Sequence, residues 1–213
     1  VNTFVHDNLL YGPLDDAIVI HGTGASTNYV VKRNKIFTTG GRILITGCVN
    51  ASIISNEVTV IQDGGSAINA TFGDDASQWY PNRNLTIKHN IVRVNDGVYN
   101  PWGMRLHGCG IDVLVEKNTI LFGDGPLPRI GIQLLDRRLT TQNTWHAGKN
   151  ITIRSNHIIN SSWGIEGKKS FAMYTNVNIY DNTIENANVG ITAFSNWVGP
   201  NTYISVQTNE ILK

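Results

Sequence analysis

Charge is scarce in this chain: 15% of its 213 residues are charged, and 17 basic against 16 acidic residues leave a formal net charge of +1. Soluble domains average about 25% charged. The basic residues stand singly or in pairs, so no cationic run offers the electrostatic footprint that nucleic acid requires. Long apolar runs are missing too. Nothing approaches the ~18 consecutive apolar residues of a membrane span, and the opening VNTFVHDNLL lacks the basic and then apolar order of a signal peptide. Neither nucleic acid nor membrane is therefore expected as a partner. The six His fall in no metal-binding spacing, and HGTG and GCG lack the strand-to-helix context of a phosphate loop. Cysteine is confined to Cys48 and Cys109. What is abundant is Asn, with 25 residues, and Gly, with 21. Such material disfavours long helices and suits a chain that turns often through left-handed conformations.

The Asn fall in a repeat. VHDNLL, VKRNKI, IISNEV, IKHNIV, VEKNTI, IRSNHI, IYDNTI and VQTNEI centre on Asn8, Asn34, Asn56, Asn90, Asn118, Asn156, Asn182 and Asn209, with apolar residues three before and two after each. Alternation breaks at the Asn, which reads as two short strands bent at one residue, the Asn itself taking the left-handed conformation. Between successive turns runs a third, Gly-led series: DAIVIH, GRILIT, SAINAT, GMRLHG, GIQLLD, GIEGKK and GITAFS. The intervals of 26, 22, 34, 28, 38, 26 and 27 residues keep these segments and vary the loops between them. Three-strand coils of this kind stack as a right-handed parallel β-helix, with like residues one strand spacing of about 4.8 Å apart. The expected fold is all-β, a solenoid of seven to eight coils forming a single domain over residues 1–213. Neither end carries a capping segment, so the chain is expected to be part of a longer one or of an assembly. The Asn series reads as scaffold, stacked along the rod, with no chemistry of its own.

In the Gly-led strands, an inward register at Ile18, Ile43, Ile68, Met104, Ile132, Ile165 and Ile191 puts Val19, Leu44, Asn69, Arg105, Gln133, Glu166 and Thr192 outward. A second outward column follows two residues later, with His107 and Lys168 among its members. Polar and charged groups crowd these columns from the fourth to the sixth coil. The two longest intervals carry Trp79, Trp145 and their neighbours, while Trp102 and Trp163 lie just before the Gly-led strands and Trp197 follows the last. All five Trp thus read as loop residues flanking one sheet, a groove able to stack sugar rings. Asp74 and Asp75 follow the third Gly-led strand and Asp136 ends the fifth. If the strand ends align, the two acidic sites are two coils, or about 9 to 10 Å, apart. Inverting glycosidases hold their carboxylates roughly 6.5 to 9.5 Å apart. Asp15 and Asp16 form another acidic pair at the opposite edge of the first such strand, and either pair is also able to cap a turn or hold a calcium ion. Five Asn-x-Ser/Thr sequons, at Asn50, Asn69, Asn84, Asn150 and Asn160, match chance for so much Asn. The two Cys fall two coils apart, beyond the roughly 7 Å reach of a disulfide, and read as free thiols.

The Asn-turn and GIxL pattern, over essentially the whole chain, resembles the pectate-lyase-like superfamily of right-handed β-helices, which holds polysaccharide lyases, glycoside hydrolases, epimerases and phage tailspike depolymerases. DDAIVIHG, GGRILITGC and SAINATFGDDASQW are more loosely similar to β-helix α-1,3-galactosidases, in which acidic pairs on the rod help form the active site. The resemblance implies a carbohydrate-active, secreted or virion-surface protein, and the tailspikes add trimerisation. The leading expectation is a glycoside hydrolase without cofactor. Asp74, Asp75 and Asp136 would be its acid/base candidates, and Arg105, His107, Glu166 and Lys168 would orient or neutralise substrate beside Gln133 and the Trp walls. A lyase, with Arg105, His107 or Lys168 removing a proton beside a uronate carboxylate, is the enzymatic alternative. A silent glycan-binding or spacer rod is the alternative of another class.

Overall fold

The computed structural model describes residues 2–12, 16–22, 28–40, 42–62, 65–71, 73–74, 79–107, 110–125, 128–135, 137–139, 144–146, 148–168, 174–192 and 203–213, with 73–74, 79–80, 137–139 and 144–146 described in the backbone only. Three parallel sheets of eight, eight and seven strands run through them, each strand bonded to its equivalents one coil before and after. Sheet 1 extends from Asn2–His6 to Ile204–Gln207, sheet 2 from Leu9–Gly12 to Glu210–Leu212, and sheet 3 from Ile18–His21 to Val189–Thr192. The chain visits the sheets in that order in every coil, which is the right-handed parallel β-helix the repeat predicts.

Alternation decides what faces inward. In sheet 1, Ile87, Val115, Ile153 and Ile179 stack in register. Sheet 2 supplies Val92, Ile120, Ile158 and Ile184, and sheet 3 supplies Met104, Ile132 and Ile165. None of these is more than 1% exposed, and they belong to one hydrophobic cluster. Each stabilises the fold by roughly 1.5–3 kcal/mol through burial. β-Branched side chains suit this position because they pack against identical neighbours across a pleated surface.

The bend between sheets 1 and 2 differs from the expectation in one residue. The left-handed backbone sits at the position before each Asn: φ is 51° at Arg33, 54° at Ser55, 55° at His89, 52° at Lys117 and 54° at Asp181. The Asn are instead buried, with Asn34, Asn56, Asn90, Asn118, Asn156 and Asn182 at most 1% exposed. Their side chains need that placement to form a ladder. Asn118 Oδ1 accepts from both the backbone N–H and the Nδ2 of Asn90, each at 3.0 Å, and Asn118 donates in the same way to Asn156 Oδ1 at 3.1 and 2.9 Å. Asn118 Nδ2 also reaches Ile87 O at 2.9 Å, so every polar atom of the buried amide is used. The same double link runs from Asn8 to Asn209.

Glycine is the second residue of the last four strands of sheet 3 for steric reasons. A Cβ on Gly131 would lie 2.4 Å from Gly164 O and 2.6 Å from the Ile158 side chain, and the pairing register skips this residue as the strand bends into the sheet. Cys48 is free and buried, and burial pushes its thiol up to about 11, so it carries no thiolate chemistry near neutral pH. Cys109 lies outside the described residues.

Candidate functional site

The outer face of sheet 3 carries the columns expected of it. Val19, Leu44, Asn69, Arg105, Gln133, Glu166 and Thr192 are in mutual register. His21, Thr46, Thr71, His107 and Leu135 form the second column, and Lys168, one residue past the strand Trp163–Gly167, donates its backbone N–H to Leu134 O at 3.0 Å. Thr71, His107 and Leu135 stacking in one line means that the third, fourth and fifth strand ends align.

This face is less open than a bare sheet. Leu44 is 8%, Thr46 5%, Asn69 6%, Thr71 7% and Gln133 2% exposed, although all point away from the core. Arg105, His107, Glu166, Trp102 and Trp163 are half-buried, and Lys168 is exposed. Polar groups so placed need partners. Glu166 Oε2 accepts from Gln133 Nε2, and the Arg105 guanidinium lies 4.8 Å from the centre of the Trp102 ring, a cation–π contact that fixes its direction. The amide oxygens of Asn69 and Gln133 are buried and accept no hydrogen bond from the described residues. An acceptor left in that state costs roughly 1–3 kcal/mol.

The Trp are distributed differently from the loop walls expected. Trp102 and Trp163 are the first residues of the strands Trp102–His107 and Trp163–Gly167, stacked on either side of Ile130. Their backbone N–H groups bond to Gly65 O at 3.0 Å and Arg129 O at 3.1 Å, and these bonds draw them into the sheet. The two long insertions contain short antiparallel hairpins, Gly73–Asp74 with Trp79–Tyr80 and Arg137–Leu139 with Thr144–His146, in which Asp74 pairs Trp79 and Arg138 pairs Trp145. Their side chains are outside the description, as are Asp15, Asp75, Asp136 and Trp197 altogether.

At the near end of sheet 3, Asp16 is committed to Arg42, Oδ1 to Nε 2.6 Å, so its carboxylate is neutralised by an ion contact. His21 Nδ1 lies 2.6 Å from Thr46 Oγ1. Among the described residues, no group of three or more His, Cys, Asp or Glu is placed to hold a metal ion. Two features escaped the sequence reading. Asn82 accepts from Cys48 N–H at 2.9 Å and donates to Thr71 O, anchoring the chain's return from the first insertion, and the PNRN segment around it is its only trace in the sequence. The Arg105–Trp102 contact was not legible, because residues i and i+3 of a regular strand face opposite ways and only the break in register at Gly103 lets the two meet.

Fold and site together are those of a right-handed parallel β-helix with a polar outer face on one sheet. Among solved structures, the chain is similar to the A-module of a mannuronan C-5 epimerase from Azotobacter vinelandii, at 16% identity and a TM-score of 0.53, over 96% of this chain and 58% of that one. The chain thus spans less than two thirds of that module, and the likeness is one of fold. No family model matches the sequence, and no curated protein matches it significantly.

Proposed function

We propose that this protein binds and modifies a polysaccharide seated on the outer face of sheet 3. The observation that carries the reading is the column Asn69–Arg105–Gln133–Glu166, where the half-buried Glu166 carboxylate and Arg105 guanidinium lie on the outer face among amide side chains. Sugar hydroxyls are donors and acceptors of the right kind, and the half-buried Trp102 and Trp163 in the same face offer rings to sugar C–H surfaces. Glycoside hydrolysis would use Asp74 or Asp75 with Asp136 as acid and base. The strand ends from which the two acidic segments leave, Thr71 and Leu135, are two coils or about 10 Å apart, close to the upper end of the inverting range.

A second reaction has its own support in Arg105 and His107, which emerge on the same side of one strand. On a uronate, Arg105 would hold the sugar carboxylate and His107 or Lys168 would take the C5 proton. The electron pair then either expels the O4 substituent, giving an unsaturated end, or takes a proton back on the opposite face, inverting C5. The epimerase of similar fold bears a name that describes such chemistry at C5 of mannuronan. A secreted or virion-surface setting and a trimeric assembly belong to the same proposal.

The test is a panel of neutral and acidic polysaccharides, followed for new reducing ends, unsaturated ends and C5 inversion at constant chain length, beside equilibrium binding. New reducing ends alone establish hydrolysis, and unsaturated ends or inversion establish the second reaction. Binding without turnover makes the protein a glycan-binding rod, and the absence of both binding and turnover contradicts the proposal.

A further inference from the structure

Sheet 1 has an outer face as well, and it is open. A cavity of about 480 Å³ is lined there by Asn84, Thr86, Leu114, Thr152 and Arg154, and one of about 390 Å³ by Val30, Asn50, Ser52 and again Asn84, so the two form one groove along the rod. Its floor is the column Phe4, Val30, Ser52, Thr86, Leu114 and Thr152, hydroxyl and aliphatic groups with one aromatic ring, Phe4, at the first coil. One bank is a row of surface amides including Asn50, Asn84 and Asn150. The other is the column Lys32, Ile54, Lys88, Glu116, Arg154 and Tyr180.

Cations on that bank recur at every second coil, Lys32 to Lys88 to Arg154, hence about 10 Å apart. Glu116 between them pairs with Arg154 at 2.7 Å, and that hydrogen bond, with the charges of Arg154, Lys117 and Lys88, holds its carboxyl below the usual range. Lys32 and Lys88 have no acidic partner among the described residues. The outward columns that bound the groove hold Lys32, Lys88 and Arg154 against Asp112 and Glu116, and the Arg154–Glu116 pair leaves the two lysines as the cations without an acidic partner among the described residues.

We propose that the outer face of sheet 1 is a binding strip for an extended acidic polysaccharide lying along the rod, its carboxylates meeting Lys32, Lys88 and Arg154. One pyranose with its linkage advances a chain by close to one strand spacing of about 4.8 Å. In an extended twofold chain successive sugars face opposite ways, so one side presents a carboxylate at every second sugar, which is the period of the cations. Serine, threonine and asparagine along the floor and the amide bank meet the hydroxyls. Single-stranded nucleic acid fits less well, because its bases need successive stacking rings and the groove has rings only at Phe4 and Tyr180, near its two ends. A second copy of the chain would set this positive bank against itself. The strip lies on a different face from the site on sheet 3 and goes beyond that reading.

The experiment measures binding of oligogalacturonate to the wild type and to Lys32→Gln/Lys88→Gln, with a neutral glucan and single-stranded poly(dT) as alternative probes. Removing two exposed ion pairs should weaken oligogalacturonate binding about tenfold and flatten its salt dependence. Lys35→Gln/Arg93→Gln on sheet 2, the same change in charge, should leave affinity unchanged. Equal loss in both variants, unchanged affinity in the first, tighter binding of poly(dT), no binding of oligogalacturonate, or a concentration-dependent dimer through this face would each overturn the strip. Absent turnover across the polysaccharide panel, with this binding intact, would count against sheet 3 alone.

Discussion

Two columns of asparagine run the length of this rod, and they differ in almost everything but residue type. The ladder between sheets 1 and 2 is buried, its members at most 1% exposed from Asn34 to Asn182, and each internal oxygen takes two donors from the coil before. The column at the head of the sheet 1 strands lies at the surface. Asn84 donates to Asn50 at 2.9 Å, Asn150 to Asp112 at 2.8 Å and Asn176 to Asn150 at 3.1 Å, one bond per step. The surface residues are themselves left-handed, with φ between 51° at Asn84 and 60° at Asp112, whereas in the ladder the residue before the Asn takes that role. Stacking alone therefore does not make an amide structural. Where water is excluded, losing one link strands several polar groups, and where water is present it replaces the link.

Breaking the ladder should have the largest effect. Asn118→Leu leaves the Asn90 N–H and Nδ2, and the Ile87 carbonyl, buried without the partner they had, and should cost about 3–5 kcal/mol. Urea unfolding measures it, and a loss below about 1 kcal/mol would put the ladder on the same footing as the surface column. Asn150→Ala removes a surface bond and a side chain that tolerates φ of 53°, for an expected loss of about 1 kcal/mol by the same measurement. The smallest change has the opposite sign. Lys117→Gly relieves a left-handed residue at φ 52° while adding freedom to the unfolded chain, so stability should hold or rise by up to about 1 kcal/mol. A marked loss there would mean that the strain belongs elsewhere in the turn.

The sequence shows the ladder's register because each coil must supply the same side chain at the same place, and only Asn can both donate and accept in that way. The seat of the left-handed turn was hidden: Arg33, Ser55, His89 and Lys117 share no chemistry, since the ladder pays for their backbone strain. The outward column from Asn69 to Glu166 was legible from period-two alternation around Met104 and Ile132. Its burial was not, because cover over an outer face does not repeat from coil to coil. Trp102 and Trp163 looked like loop residues since they precede the repeat's Gly, yet main-chain bonds to the previous coil begin the strands at them. The groove on sheet 1 escaped because its floor of Ser52, Thr86 and Thr152 reads as an ordinary solvated face.

The most direct test of the central claim is a crystal structure with the oligosaccharide that binds best, at the sheet 3 face of the wild-type protein. Sugar should lie along the Arg105–Glu166 part of the column, its hydroxyls donating to the Glu166 carboxylate and accepting from the Arg105 guanidinium. Sugar bound only elsewhere, with neither Arg105 nor Glu166 in contact with it, would contradict it.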